Sequence, residues 1–327
     1  MKILMTNWRL TWFSGSDTYL LTLGKELLQR GHIVHIFTEH AGLAARYFED
    51  AGIKVLDTLP EKSSSIDLEQ EYDVIHGHHH STMQLVDSRF PDVPKIFVCH
   101  GILPQLETPP SGVTIQKYVA VSEETQEKRL KEEFGKQSEI IRQPVNLEQF
   151  SPPKDFIFRK EKIRIVVISN YFGISYPATE VWEAVKSLDA ELTVIGPGGI
   201  MTNDPSQYIK QSDIVISLGR GIVEAMACGK PVIVGDYNGY DGAILNEEEY
   251  LNIRKCNFSG RYKKTNPKEK GEWDNYPGEY IIHEVGHLLD EGLEKVGNEM
   301  RQLAEKYHDV KKIADRFEEI YTEISKK

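Results

Sequence analysis

Apolar and polar positions along this 327-residue chain fall into short blocks that read as strands and helices taking turns. Brief apolar runs bounded by turn residues predict strands at 2–6, 33–38, 53–55, 73–76, 96–99 and 118–120. Between the first two, apolar residues at helical spacing from Asp17 to about Gln29 predict an amphipathic helix, closed by Arg30-Gly31. The pattern pauses at Ser151-Pro-Pro-Lys-Asp155, a linker composition. It restarts with strands at 163–169, 191–195 and 213–218 and with helices over 178–188 and near 207–211. Helical spacing from His283 to about Ile324 closes the chain. Such alternation with short connections predicts an α/β protein of two doubly wound, Rossmann-like parallel-sheet domains. The expected boundaries are 1–152 and 153–305, with a C-terminal helix over 306–327 packing back on the first domain. Domains of this kind bind ligands at the carboxyl ends of their strands, and two facing each other would hold a site in the cleft between them.

The segment Gly219-Arg-Gly-Ile-Val-Glu-Ala-Met-Ala-Cys-Gly-Lys-Pro-Val-Ile-Val234 carries the most chemistry. It follows a strand that reads as buried on both faces, and it predicts a glycine turn, a helix from about Ile222 to Cys228, and another buried strand. Gly219 and Gly221 let the backbone turn tightly and come close to a ligand. The N–H groups of Gly221, Ile222 and Val223 at the helix start, with its positive dipole end, suit a phosphate. Arg220 adds a forked cation, and Glu224 is placed to reach sugar hydroxyls beside that phosphate. Strand–turn–helix junctions occur throughout parallel sheets and most of them bind nothing, so the turn alone leaves both readings open.

A chain 40% hydrophobic and 27% charged is an ordinary globular composition, long enough for two cores. A net charge of −11 argues against nucleic acid as the main partner. The three cysteines have no metal or disulfide spacing, no apolar stretch is long enough for an integral membrane segment, and Met1–Met5 runs directly into a strand. A cytoplasmic protein is expected, with a peripheral membrane contact left open.

Glu-Ala-Met-Ala-Cys-Gly-Lys-Pro-Val-Ile-Val resembles the donor-site motif of the retaining glycosyltransferase family four (glycosyl transferases group 1), which has the B-type glycosyltransferase fold. The resemblance extends over most of the chain. Phe13-Ser-Gly-Ser-Asp-Thr-Tyr19 with Arg30-Gly-His-Ile-Val34 is similar to the family's first loop and second strand, with Ser16 or Asp17 expected to cap the helix. Asp73-Val-Ile-His-Gly-His-His79, Val98-Cys-His-Gly101, Tyr118-Val-Ala-Val-Ser-Glu123, Arg142 to Ser151 and Asn257-Phe-Ser-Gly-Arg261 also resemble family segments. The resemblance implies transfer of a sugar from a nucleotide-diphosphate sugar to a glycan or other small acceptor, with retention of configuration. It implies donor contacts from Gly15, Ser16, Ser169, Asn170 and the Gly219–Glu224 turn, and a role beside the transferred sugar for His100. Arg220, Glu224 and His100 are the catalytic candidates, and a histidine there has a side-chain pKa near the working pH.

The departures from the family are specific. Its motif has a glutamate eight positions before the second, where this chain has Ile216. Its basic residues after the first strand of the second domain are replaced by Ser169 and Asn170 in the stretch Val167–Ser175. A catalytically silent nucleotide-sugar binder is therefore an alternative. No Asp-x-Asp motif is present, so neither an essential metal nor a resident cofactor is expected. His283-Glu-Val-Gly-His287 matches the zinc-protease pattern, with both histidines on one helix face, Glu284 as base and Glu299 or Glu305 as loose candidates for a third ligand; a zinc hydrolase is the remote alternative. His76, His78, His79, His80 and His100 cannot all converge, because neighbours on a strand face opposite ways.

Overall fold

The computed structural model describes every residue except 13, 58–70, 160, 173–177, 237–238, 264–277 and 327. The expectations that fall on Phe13 and on 173–175 lie outside the described residues. The chain divides into two compact units, Met1–Pro144 with Val310–Lys327, and Val145–Asp309.

The first unit holds a seven-stranded sheet of β1 (Lys2–Leu10), β2 (Ile33–Ala41), β3 (Lys54–Asp57), β4 (Val74–Gly77), β5 (Lys95–Cys99), β6 (Lys117–Ala120) and β7 (Ser138–Ile140). Their order is β3-β2-β1-β4-β5-β6-β7, and every pairing is parallel. β1 runs past the predicted Thr6 because Arg9 and Leu10 keep pairing with His40 and Ala41 of β2. Consecutive Ile3, Leu4 and Met5 are all buried, as a sheet covered on both faces requires. Cover comes from α1 (Gly15–Gln29), α2 (Leu43–Asp50), α3 (His80–Asp87), a wound segment over Thr125–Glu133 and the C-terminal helix Val310–Ser325. The C-terminal helix buries Ile313, Phe317, Ile320 and Ile324 at helical spacing, and these join Leu20, Leu23 and Leu27 of α1 in one core. Arg30 ties the two helices, with Nη1 at 2.5 Å from both Asp315 and Glu318.

The second unit has a five-stranded sheet of β8 (Arg164–Ile168), β9 (Glu191–Ile195), β10 (Ile214–Ser217), β11 (Val232–Asp236) and β12 (Gly239–Ala243), ordered β12-β11-β10-β8-β9. β12 alone among these strands pairs antiparallel. Its helices are α4 (Ala178–Ser187), α5 (Ser206–Gln211), α6 (Arg220–Ala227), α7 (Glu247–Ile253), α8 (Gly278–Glu291) and α9 (Leu293–Tyr307). Buried Asp213 pins the start of β10 to β8: its carboxylate accepts the Arg164 backbone N–H at 2.7 Å and both arms of the Arg164 fork at 2.8 Å. Residues 145–150 belong to this unit for clear reasons. The Val145 N–H donates to His308 at 2.8 Å, Phe150 is in the core, and Arg301 donates to the carbonyls of Phe150 at 2.9 Å and Ala227 at 2.6 Å.

Strand order reverses between β1 and β4 in the first sheet and between β8 and β10 in the second. In each unit the crevice for a ligand therefore opens at the carboxyl ends of those strands. The residues there are Ser14–Ser16, His78 and His100 in the first unit, and Ser169 and Gly219–Glu224 in the second. Among the described residues no helix is long and apolar enough to cross a membrane.

Lys230, in the Gly-Lys-Pro stop after α6, is 1% exposed, and its Nζ has no hydrogen-bond partner among the described residues. It lies 3.0 Å from the centre of the Phe156 ring and 5.2 Å from that of Phe158, an attraction that offsets part of its lost hydration. Burial pushes its amine down to about 7. The unfolded chain therefore holds this proton over a pH range in which the folded chain releases it, so stability rises from pH 7 towards 10. Lys230→Met should raise the urea midpoint at pH 6–7 and flatten that rise; a lowered midpoint would show that the ammonium stabilises the fold.

Candidate functional site

In the second unit the site is built on the turn between β10 and α6. Gly219 has φ 53° and ψ −115°, a conformation open to glycine and strained for other residues. Its N–H donates to the Phe258 carbonyl at 2.8 Å, so the Asn257–Arg261 stretch supports the turn. A Cβ at Gly221 would meet Ser217 Oγ at 2.3 Å; that hydroxyl donates to the Ile168 carbonyl at 2.8 Å and locks β10 to β8. Two expectations need correction. The helix begins at Arg220 rather than near Ile222, because Gly219 already makes the turn. The Gly221 N–H donates to the Leu218 carbonyl at 3.2 Å, so it is held inside the turn, while Ile222 and Val223 lie buried in the first turn of the helix.

Arg220 and Glu224 face each other one helical turn apart, with Nε 2.7 Å from Oε1 and side chains 10% and 8% exposed. Burial raises the Glu224 carboxyl above its ordinary value, and the Arg220 charge and hydrogen bond oppose that rise. The structure thus supplies a guanidinium held in place by a buried carboxylate beside a helix N-terminus, a combination suited to an anion that carries hydroxyl groups. At the end of β8, Ser169 is buried; its hydroxyl donates to Asp236 at 2.9 Å and accepts the Tyr171 N–H at 3.0 Å. Asn170 is exposed. Asp236, at the end of β11, is a neighbour of this site that the sequence reading did not single out. Ile216, where the family has its first glutamate, is fully buried within β10.

In the first unit, α1 is capped by Ser14, not by Ser16 or Asp17. Asp17 occupies the third helical position and accepts the Ser14 N–H at 2.9 Å, a capping-box arrangement. Asn7 at β1 donates to the other Asp17 oxygen, and burial raises that carboxyl to about 6 against the Ser14 and Asn7 hydrogen bonds. Gly15 is exposed, with nothing within 4 Å of where a Cβ would stand. The Ser16 hydroxyl is 3.0 Å from that of Ser14.

His100 follows β5. Its backbone N–H donates to Glu107 at 2.6 Å and its ring lies 4.8 Å, edge-on, from that of Tyr19. Its expected pKa near the working pH is corrected: burial lowers it to about 4, outweighing the opposing Glu107 charge. His100 is therefore a neutral imidazole at neutral pH. Not all five histidines converge, but His76, His78 and His100 do form one hydrogen-bonded row. The signal was in the sequence, since residues two apart on a strand share a face. His79 turns away with φ 62° to accept the Trp8 N–H at 3.0 Å, and His80 bonds Thr108 at 3.1 Å.

The His283–His287 pair lies on the exposed face of α8, with ligand atoms of His283, Glu284 and His287 within 4.8 Å of one another. Glu284 itself is buried, and Oε2 accepts the Ala243 N–H of β12 at 2.6 Å, so its carboxylate serves as a link between α8 and the sheet. Glu299 is engaged by the Glu247 N–H at 2.8 Å and Glu305 by Arg301 at 2.6 Å. The geometry of a solvent-facing base with a third ligand is not assembled by these residues.

Comparison with known proteins fits this arrangement. A family model described as Glycosyltransferase Family 4 matches residues 13–149, and one described as Glycosyl transferases group 1 matches 178–257. No curated protein matches the sequence. Among solved structures, HepE of Anabaena in complex with UDP and glucose is similar at a TM-score of 0.68 and 14% identity, covering 98% of this chain and 99% of that one. Sucrose-phosphate synthase from Thermosynechococcus elongatus is similar at 0.63 and 13%, covering 99% and 98%. The lipopolysaccharide outer core galactosyltransferase WaaB in its apo form is similar at 0.59 and 11%, covering 99% and 100%. At such identities these three likenesses are of fold.

The Arg220–Glu224 pair makes a stability prediction. Arg220→Met leaves a buried carboxylate without this partner, a change that costs about 3–5 kcal/mol in comparable buried pairs. With its pKa raised further, Glu224 takes up a proton on folding, so the loss should be large at pH 8 and smaller at pH 5. Urea melts at the two pH values measure it; an equal loss at both would show that Glu224 does not feel the guanidinium charge.

Proposed function

We propose that this chain, a glycosyltransferase of the B-type superfamily, transfers a sugar from a nucleotide-diphosphate donor, with the diphosphate bound at the Gly219–Glu224 turn. The observation that carries the reading is the Arg220–Glu224 pair set at the start of α6, directly after a strand that borders the switch point. As the anomeric C–O bond stretches, negative charge grows on the departing diphosphate. The α6 dipole and Arg220 stabilise that charge more in the transition state than in the ground state, which lowers the barrier. Glu224 holds the guanidinium in position and accepts from ribose hydroxyls. Gly15 and Ser16, at the start of α1, and Ser169 and Asn170, after β8, are further donor contacts.

His100 belongs on the sugar and acceptor side. A neutral imidazole orients or polarises a hydroxyl by hydrogen bonding, and its pKa of about 4 makes it a poor proton carrier at neutral pH. The reading takes the transfer to be retaining and independent of metal, with the guanidinium and helix end in the place a divalent cation would fill. The acceptor is a glycan or another small molecule. Three free cysteines fit a cytoplasmic setting. The UDP in the HepE complex makes UDP the first nucleotide to test.

Calorimetry with UDP, GDP, ADP and dTDP should find one nucleotide bound by the wild-type chain. Arg220→Lys, which keeps the charge but loses the fork, and Glu224→Gln should each weaken that binding about tenfold. Wild-type affinity in both variants would remove the turn as the donor site.

A further inference from the structure

Three imidazoles and a phenol form a continuous row inside the first unit. The Tyr321 hydroxyl is 2.6 Å from His76 Nδ1, His76 Nε2 is 3.1 Å from His78 Nε2, and His78 Nδ1 is 2.9 Å from His100 Nε2. Tyr321, His76 and His78 are completely buried. Burial lowers His76 to about 3, His78 well below its ordinary value and His100 to about 4, so all three rings are neutral at neutral pH.

A neutral imidazole has one N–H and one bare nitrogen. Each contact between two of these rings needs a proton on one nitrogen and a lone pair on the other. The protons along the row must then all point the same way, leaving two arrangements. Tyr321 chooses between them. Burial raises its phenol well above the ordinary value, so the O–H keeps its hydrogen, and His76 Nδ1 is the acceptor it meets among the described residues. The 2.6 Å separation suits an O–H donor, whose range is about 2.5–3.0 Å, and is short for an N–H donor, whose range is about 2.7–3.2 Å. With Tyr321 donating, His76 holds its proton on Nε2 and His78 on Nδ1. His100 receives at Nε2, and its own proton stays on Nδ1.

We propose that Tyr321 of the C-terminal helix is a positioning residue that fixes His100 as a neutral hydrogen-bond donor through Nδ1. The proposal rests on the reading of His100 as a site residue. It gives that residue a defined task, donation to an oxygen of the sugar or acceptor. The C-terminal helix thereby joins the site through chemistry as well as packing. Tyr19, edge-on to His100 at 4.8 Å and 5.5 Å from His78, helps hold the rings in register.

Long-range proton–nitrogen correlation spectra of the full chain labelled with 15N-histidine separate the two tautomers and need no substrate. The expected wild-type pattern is Nε2–H at His76, Nδ1–H at His78 and Nδ1–H at His100; Nε2–H at His100 overturns the proposal. Tyr321→Phe keeps the ring and removes the donor, so His100 should lose its single Nδ1–H form and show both tautomers. A His100 signal unchanged in that variant also overturns it, since a purely structural tyrosine would leave the tautomer alone. Sugar transfer by His100→Ala at the wild-type rate, alongside the expected spectra, would instead refute the role of His100 and leave the Tyr321 relay standing.

Discussion

Parallel pairing is the constraint from which the rest follows. When neighbouring strands run the same way, all their carboxyl ends reach one edge, and every loop leaving that edge is offered to the same ligand. In the first unit this gathers the Ser14–Asp17 turn after β1, the His78–His80 turn after β4 and His100 after β5. In the second it gathers Ser169 after β8, Gly219–Glu224 after β10 and Asp236 after β11. Of the hydrogen bonds that lock these ends, Ser217 to Ile168 joins the neighbouring strands β10 and β8, and Ser169 to Asp236 passes over the end of β10 to join β8 to β11. A chemical group placed at one strand end is thereby fixed against the next.

That edge is also where the fold buries charge and polarity, and how each group is compensated indicates its task. Asp17 is held by Ser14 and Asn7, and it shapes the first loop. The three histidines of the row give up charge altogether and keep order through a chain of single protons. Glu224 keeps a cation within reach. Lys230, away from the strand ends, has aromatic faces and no counter-ion at bonding distance among the described residues, so it contributes nothing comparable to binding. Buried groups with matched partners at the strand ends suit recognition, while an unmatched one elsewhere is a burden on stability.

The architecture was legible because it rests on period and turn chemistry, both of which are local. Apolar runs such as Ile214–Ser217 and the alternation with helices sufficed to predict two doubly wound sheets. What local pattern could not show is what partners decide. β1 extends to Leu10 because β2 is there to pair with it. The cap of α1 falls on Ser14 because Asp17 turns back toward it; Ser14, Ser16 and Asp17 are all residue types that cap helices, and spacing alone does not choose among them. The ionisation of His100 depends on burial beneath Tyr19 and beside His78, and Tyr321, far along the chain, has no sequence signal that it bonds His76 at the other end of the row. The His-Glu-x-x-His pattern shows the same limit: its spacing brings ligand atoms of His283, Glu284 and His287 within 4.8 Å of one another, but gives no sign that Glu284 also accepts the Ala243 N–H.

The shortened donor motif becomes intelligible on the same grounds. A glutamate eight positions before Glu224 would replace Ile216, in the middle of a strand covered on both faces, where a carboxylate has neither water nor a cation. With the loop drawn in to Ser-Leu-Gly-Arg-Gly, an apolar residue there is what the core accepts. The same shortening puts Arg220 at the first position of α6, within reach of Glu224 and of anything held at the helix start. Relative to the longer motif the turn has one carboxylate fewer and one guanidinium more. On the proposed reading, that exchange favours a diphosphate and gives up a contact to the sugar.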